Sequence, residues 1–154
     1  MKIAMVYTSV TGNTEALMRM IEQAFQTQGL PVDIYPIHAF DLEKLQQWDA
    51  IIVGTYSWGN GHIPREMRAL FAAFEQQETR AVVTAVFGTG DSFYPHFCGA
   101  VDQFRDMLYV HTDLAVTLKV ELLPQEQDVQ RCQAFVERLM TRLNQHLEQK
   151  SIFN

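Results

Sequence analysis

From end to end the chain alternates between two hydrophobic periods, short β-type apolar runs and longer helical ones, and this alternation restricts the fold more than any other feature. Lys2–Thr8, Pro31–Pro36, Ala50–Thr55, Ala81–Gly88 and Leu114–Leu123 read as strands. Between them apolar residues recur at helical spacing. One helix covers Asn13–Gln28, with Leu17, Met20, Ile21, Ala24 and Phe25 on its inner face and Gly29 as its stop. A weak helical turn covers Leu42–Gln47. A helix over Pro64–Phe74 places Pro64 in the first turn, where a missing N–H costs nothing. Further helices cover Gly99–Tyr109 and Glu126–Gln149, the last with Val129, Cys132, Val136, Leu139, Leu143 and Leu147 on one stripe. Strands alternating with helices predict an α/β three-layer fold, a parallel sheet with helices on both faces. Right-handed crossovers then favour a five-stranded order of 2-1-3-4-5. Ligands of such sheets lie at the carboxyl ends of the strands where the winding reverses, which directs attention to the loops after strands one, three and four.

Composition bounds the class of partner. The chain has 154 residues, one domain's worth, with 47% hydrophobic and 19% charged residues, as in an ordinary globule. Its net charge of −6 is repelled by nucleic acid and by anionic membranes, so neither is expected as a partner; a protein with a basic docking face is. Cys98 and Cys132 read as the interiors of two helical regions, without CxxC or metal-ligand spacing, and are expected to be free thiols in a reduced cytoplasm. Met1-Lys2 leads straight into a strand with no signal-peptide pattern, and no apolar stretch is long enough to span a bilayer. No repeat or linker interrupts the pattern, so residues 1–150 form a single domain and 151–154 a short tail. Trp48 is expected in the core, and His38, His111 and His146 on the surface.

The three loops are the unusual places. After strand one comes Thr8-Ser9-Val10-Thr11-Gly12-Asn13-Thr14, hydroxyl-rich around one Gly and opening a helix. Helix N–H groups and the helix dipole there favour an anion. A simple N-cap by Thr11 or Asn13 is the ordinary alternative, but four polar residues exceed what one cap needs. The absence of Lys and Arg excludes a Walker-type phosphate loop. After strand three comes Thr55-Tyr56-Ser57-Trp58-Gly59-Asn60-Gly61-His62. A Trp on a Gly-flanked loop either folds back onto the core or serves as a stacking platform, and a phosphate cradle at the same edge favours the platform. After strand four, Gly88-Thr89-Gly90-Asp91-Ser92-Phe93-Tyr94-Pro95-His96-Phe97-Cys98-Gly99 crowds aromatic rings behind Gly-x-Gly, and Tyr94 facing Trp58 would make a slot for a flat ring.

These residues resemble the flavodoxins. Ser9-Val10-Thr11-Gly12-Asn13-Thr14 is similar to the family's phosphate loop, Thr55–Asn60 to the loop with the inner aromatic, and Gly88–Tyr94, running on through Asp102, to the loop with the outer Tyr. Strand five carries no insertion of twenty or so residues, so the resemblance is to the short-chain branch. It implies FMN as cofactor, no metal and no catalytic residue. Ser9, Val10, Thr11, Gly12, Asn13 and Thr14 would hold the phosphate; Thr55, Tyr56, Ser57, Trp58 and Gly61 would line the ribityl and inner ring face; Tyr94 would cover the outer face. Thr89, Gly90, Asp91, Phe97 and Cys98 would offer mainly backbone groups to the pyrimidine end. The Gly59–Asn60 peptide would tune the flavin by turning a carbonyl toward N5.

The resemblance also implies a monomeric one-electron carrier cycling mainly between semiquinone and hydroquinone. Its donor would be a ferredoxin/flavodoxin–NADP reductase, and its acceptors enzymes such as a cytochrome P450 or a ribonucleotide reductase system. Val10, Asn60 and His96 depart from the residues common at their places, which bears on potentials and partners. An FMN-dependent NAD(P)H quinone reductase, or a flavoprotein activator of another enzyme, is the alternative on the same fold. A low-molecular-weight phosphatase would need Cys and Arg framing the first loop, and a response regulator an Asp closing strand three; Thr55 stands there.

Overall fold

A computed structural model describes residues 1–153; Asn154, the end of the short tail, lies outside the described residues. Five strands, β1 (Ile3–Tyr7), β2 (Asp33–Pro36), β3 (Ala50–Tyr56), β4 (Val83–Gly90) and β5 (Asp113–Glu121), pair in parallel in the order β2-β1-β3-β4-β5. The expected α/β topology is the one observed. Helices α1 (Asn13–Thr27) and α4 (Asp128–Phe153) cover one face, and α2 (Arg68–Gln76) and α3 (Gly99–His111) the other.

The buried strands explain the near-continuous apolar runs. Residues 3–6 and 50–55 are buried throughout, because a parallel sheet with helices on both faces has no wet side. Alternate residues feed separate cores. Met5, Ile52, Ala85 and Phe87 meet Leu17, Ile21, Phe25 and Phe135 under α1 and α4, whereas Ala4, Val6, Ile51 and Val53 meet Leu70, Phe74, Phe104 and Leu108 under α2 and α3. Phe87 and Phe135 meet edge to face at 6.1 Å between centroids. Trp48 is in the core, as expected.

Several local expectations need correction. The helix expected from Pro64 starts later: Pro64 is extended (ψ 144°), Arg65–Met67 form a 3₁₀ turn, and α2 begins at Arg68. Another 3₁₀ turn, Ile37–Ala39, follows β2, and the turn expected at Leu42–Gln47 is confined to Leu45–Gln47. β4 runs on to Gly90 because its ladder with β5 continues to the Gly90–Glu121 pair. α4 extends past Gln149 to Phe153. Val129 is exposed rather than on the apolar stripe, because the first turn of α4 points Asp128 inward; its carboxylate accepts the Gln125 N–H at 2.8 Å and pairs with Arg131 at 3.0 Å. Phe135 fills the face instead.

Cys98 lies not inside a helix but just before α3, in a left-handed conformation (φ 52°). His38 is exposed as expected, but His146 is not a surface residue: its side chain is 16% exposed and Nδ1 lies 3.2 Å from Asp113, which also receives Arg142 at 2.6 Å. His111 is half-buried, its carbonyl accepting the Thr79 hydroxyl at 3.0 Å. Among the described residues no helix is long and apolar enough to cross a membrane.

Candidate functional site

β1 and β3 are neighbours whose crossovers leave in opposite directions, so their carboxyl ends open a crevice. The three singled-out loops all emerge beside it. The first is built as an anion cradle, though not by the cap expected. Neither Thr11 nor Asn13 caps α1; the Ser9 hydroxyl accepts the Glu15 N–H at 3.2 Å, and Gly12 takes the cap position at φ 94°, a left-handed geometry that a side chain would strain. The N–H groups of Asn13 and Thr14 have no partner among the described residues. Donors left open at a helix start, with the positive end of the helix dipole behind them, suit a phosphate. Val10 and Thr11 are exposed on the loop's crest. The Thr14 hydroxyl turns inward, 2.8 Å from that of Thr89, and both residues are buried, so Thr14 offers an anion its backbone and not its side chain.

The second loop is a hairpin. Trp58 and His62 exchange two backbone hydrogen bonds of 2.7 and 2.8 Å, leaving Gly59-Asn60-Gly61 as the tip. One limb is clamped. Gly61 (φ 91°) lies so close to α3 that a Cβ on it would stand 2.7 Å from the His96 Cβ and 3.3 Å from the Gly99 Cα, and Gln103 Nε2 donates to the Gly61 carbonyl at 2.8 Å. Ser57 is held from the same helix, its hydroxyl accepting the Ala100 N–H at 3.0 Å. Gly59 (φ 51°) and Asn60 stay exposed. Behind them the buried Thr55 hydroxyl donates to the Tyr56 carbonyl, and Tyr56 donates its hydroxyl to Glu66 at 2.8 Å. Burial first, then Glu66, push the Tyr56 phenol up to about 12, so it stays a neutral donor at physiological pH.

The third loop is folded by Asp91, whose carboxylate accepts the Phe93 N–H at 2.9 Å and whose carbonyl accepts the Tyr94 N–H at 3.1 Å. Ser92 hydrogen-bonds Glu121 on β5. Phe93 is fully out in solvent, Tyr94 is 52% exposed, and the two rings meet edge to face. Phe97 packs inward against the α2–α3 core. Burial pushes the Cys98 thiol up to about 12, so it is protonated and no nucleophile.

Ser57, Gly59, Gly90, Asp91, Tyr94 and Cys98, with His96, enclose a cavity of about 220 Å³. Two expectations are refined here. Trp58 does not line this cavity opposite Tyr94; it lies in an adjoining groove of about 240 Å³ with Tyr56 and Arg65, because the hairpin sends alternate residues to opposite sides. His96 and Gln103, absent from the expected site, belong to it. The aromatic crowding around His96 was the only sequence signal for the first. Nothing distinguished the second, a Gln one turn inside a helix. Among the described residues no group of His, Cys, Asp or Glu could hold a metal.

An anion cradle of neutral donors, a narrow cavity lined largely by backbone and one exposed ring, and a second exposed ring on the adjoining hairpin together fit a phosphorylated flat ligand. This arrangement defines a small flavin-type α/β protein. The family model for flavodoxin matches residues 5–131. The chain is 38% identical over 138 residues to probable flavodoxin 1 of Bacillus subtilis, covering 87% of each. It superimposes on oxidised flavodoxin 2 from Bacillus cereus with a TM-score of 0.85 at 33% identity, covering 92% of this chain and 99% of that one, and on oxidised flavodoxin 1 from the same organism with a TM-score of 0.83 at 31% identity, covering 92% and 98%. The chain belongs to the flavodoxins, FMN-holding proteins that transfer electrons and are not catalysts.

Proposed function

We propose that this chain shuttles single electrons as a monomer from a ferredoxin/flavodoxin–NADP reductase to redox enzymes such as a cytochrome P450 or a ribonucleotide reductase system. It works in a cytoplasm that keeps its buried thiols, Cys98 and Cys132, reduced. The observation that carries this reading is the hairpin clamped at Gly61 with a free Gly59–Asn60 tip at the cavity edge. FMN, when bound, supplies a flavin ring able to pass electrons one at a time. The protein's part is to hold it and bias that stepwise transfer.

The N–H groups of Asn13 and Thr14, with Ser9, Val10, Thr11 and Gly12 around them, hold the phosphate without a cation, so its charge remains in the site and disfavours a further negative charge nearby. Thr55, Tyr56, Ser57 and Gly61 shape the ribityl side, and Tyr94 covers the outer ring face and keeps water and a second substrate off it. Trp58, 64% exposed, is free to close the inner face. The backbone of Thr89, Gly90, Asp91, Phe97 and Cys98 meets the pyrimidine end. The Gly59–Asn60 peptide holds a carbonyl toward the flavin N5 proton, and Gly59 lets it turn at low steric cost.

Gly59→Ala tests this role. A Cβ there meets only the His62 ring at 3.9 Å, so the variant folds, but the left-handed region now carries a penalty of about 1–2 kcal/mol. The gap between the two one-electron midpoint potentials should narrow by roughly 60 mV, the equivalent of a tenfold change for a one-electron couple. An unchanged gap in a redox titration would remove the tip from the mechanism.

A further inference from the structure

The charge around the cavity is uneven. The rim near Tyr94 carries Asp91 and Glu121. The opposite rim carries Arg65 and Arg68, both exposed. Neither pairs with a carboxylate among the described residues, whereas Arg19, Arg105, Arg131 and Arg142 all do. The one carboxylate in that groove, Glu66, accepts the Tyr56 hydroxyl, so two guanidiniums stand against a single occupied carboxylate. Trp58 shares the groove with them and is 64% exposed. One hairpin strand separates this groove from the cavity, since Tyr56 and Trp58 line one and Ser57 and Gly59 the other.

We propose that the groove formed by Trp58, Arg65 and Arg68 is the docking surface for a carboxylate-bearing face of a redox partner protein; the proposal rests on the electron-carrier reading above. The guanidinium fork matches a carboxylate bidentately, and an exposed Trp flanked by Arg has the composition of an interface anchor. The acidic surplus of the whole chain, −6, sets only the long-range field, while the positive groove and the negative Asp91–Glu121 rim fix the partner's orientation at contact. The basic docking face expected from net charge is thereby replaced, on the Trp58 side, by an acidic one.

The test uses the FMN-loaded, reduced protein, oxidised in stopped flow by ferricyanide, an anion, and by tris(phenanthroline)cobalt(III), a cation, with a decaglutamate peptide as the acidic probe. Decaglutamate should slow ferricyanide oxidation of the unaltered protein and not that of Arg65→Glu/Arg68→Glu. At low salt that variant should react with ferricyanide about fivefold more slowly and with the cobalt complex no more slowly, the difference vanishing at about 0.5 M salt. The control is Arg80→Glu/Arg138→Glu, which changes the net charge equally at exposed, unpaired arginines outside the groove. If the control slows ferricyanide as much, or if decaglutamate has no effect on the unaltered protein, the proposal is overturned. Arg65→Gln/Arg68→Gln gives the same comparison with smaller perturbation. A dithionite titration of each variant keeps the two ideas apart: loss of the one-electron level would count against the carrier reading, not against the groove.

Discussion

Gly61→Ala is expected to be the most damaging single change in the hairpin. The new methyl would stand 2.7 Å from the His96 Cβ, 3.2 Å from the His96 carbonyl oxygen and 3.3 Å from the Gly99 Cα, and most of these neighbours are backbone or attached directly to it. The φ of 91° adds strain that no rotamer relieves. Left-handed strain and overpacking together cost about 2–5 kcal/mol. Relief comes from pushing the hairpin off α3, which breaks the Gln103–Gly61 hydrogen bond and moves Ser57 and Gly59 at the cavity wall. The denaturation midpoint should fall and FMN affinity should drop on the order of a hundredfold, equivalent to about 2.7 kcal/mol. Gly59→Ala is the internal contrast, positive in φ but with open space around it, and should leave affinity within a few-fold. If both variants bind FMN alike, the clamp at Gly61 does not position the site.

Thr14→Val should cost about 1–3 kcal/mol of stability, although the volume hardly changes. The substitution leaves the buried Thr89 hydroxyl without its 2.8 Å partner, and an unpaired buried polar group loses its full solvation. Replacing both members removes the penalty, so Thr14→Val/Thr89→Val should be more stable than the sum of the two single changes predicts, by on the order of 1 kcal/mol. Because this pair ties the start of α1 to the end of β4, FMN affinity should follow the same order. Additive losses in a urea-denaturation cycle would mean that the two hydroxyls act independently and that Thr14 faces the cradle.

The strand order and the three loops were legible in the sequence because the signals are local. Buried runs such as 50–55 carry apolar side chains on both faces, and the polar, glycine-rich stretches fall at their carboxyl ends. What was not legible depends on packing between distant segments. Thr11 and Asn13 have the better cap sequence, but the chain path brings Ser9 to Glu15. Val129 fits the apolar stripe of α4 by spacing, yet Asp128 turns inward because Gln125 and Arg131 satisfy it. His146 reads as a surface residue until Asp113, 33 residues away, is placed beside it by the edge strand. Gln103 acquires meaning only once Gly61 lies against Gly99. Loop composition shows the site; the clamp that fixes its shape does not appear in any single segment.

The central claim is that this scaffold holds FMN and makes it pass electrons singly. An anaerobic dithionite titration of the FMN-loaded protein, followed by visible spectra, tests it most directly. The account predicts that the yellow protein passes through a blue one-electron level with long-wavelength absorbance before bleaching, because the Gly59–Asn60 tip is free to meet the flavin N5 proton. A yellow protein that bleaches in a single two-electron step would contradict the carrier function and leave a small FMN-dependent reductase as the reading of the same fold.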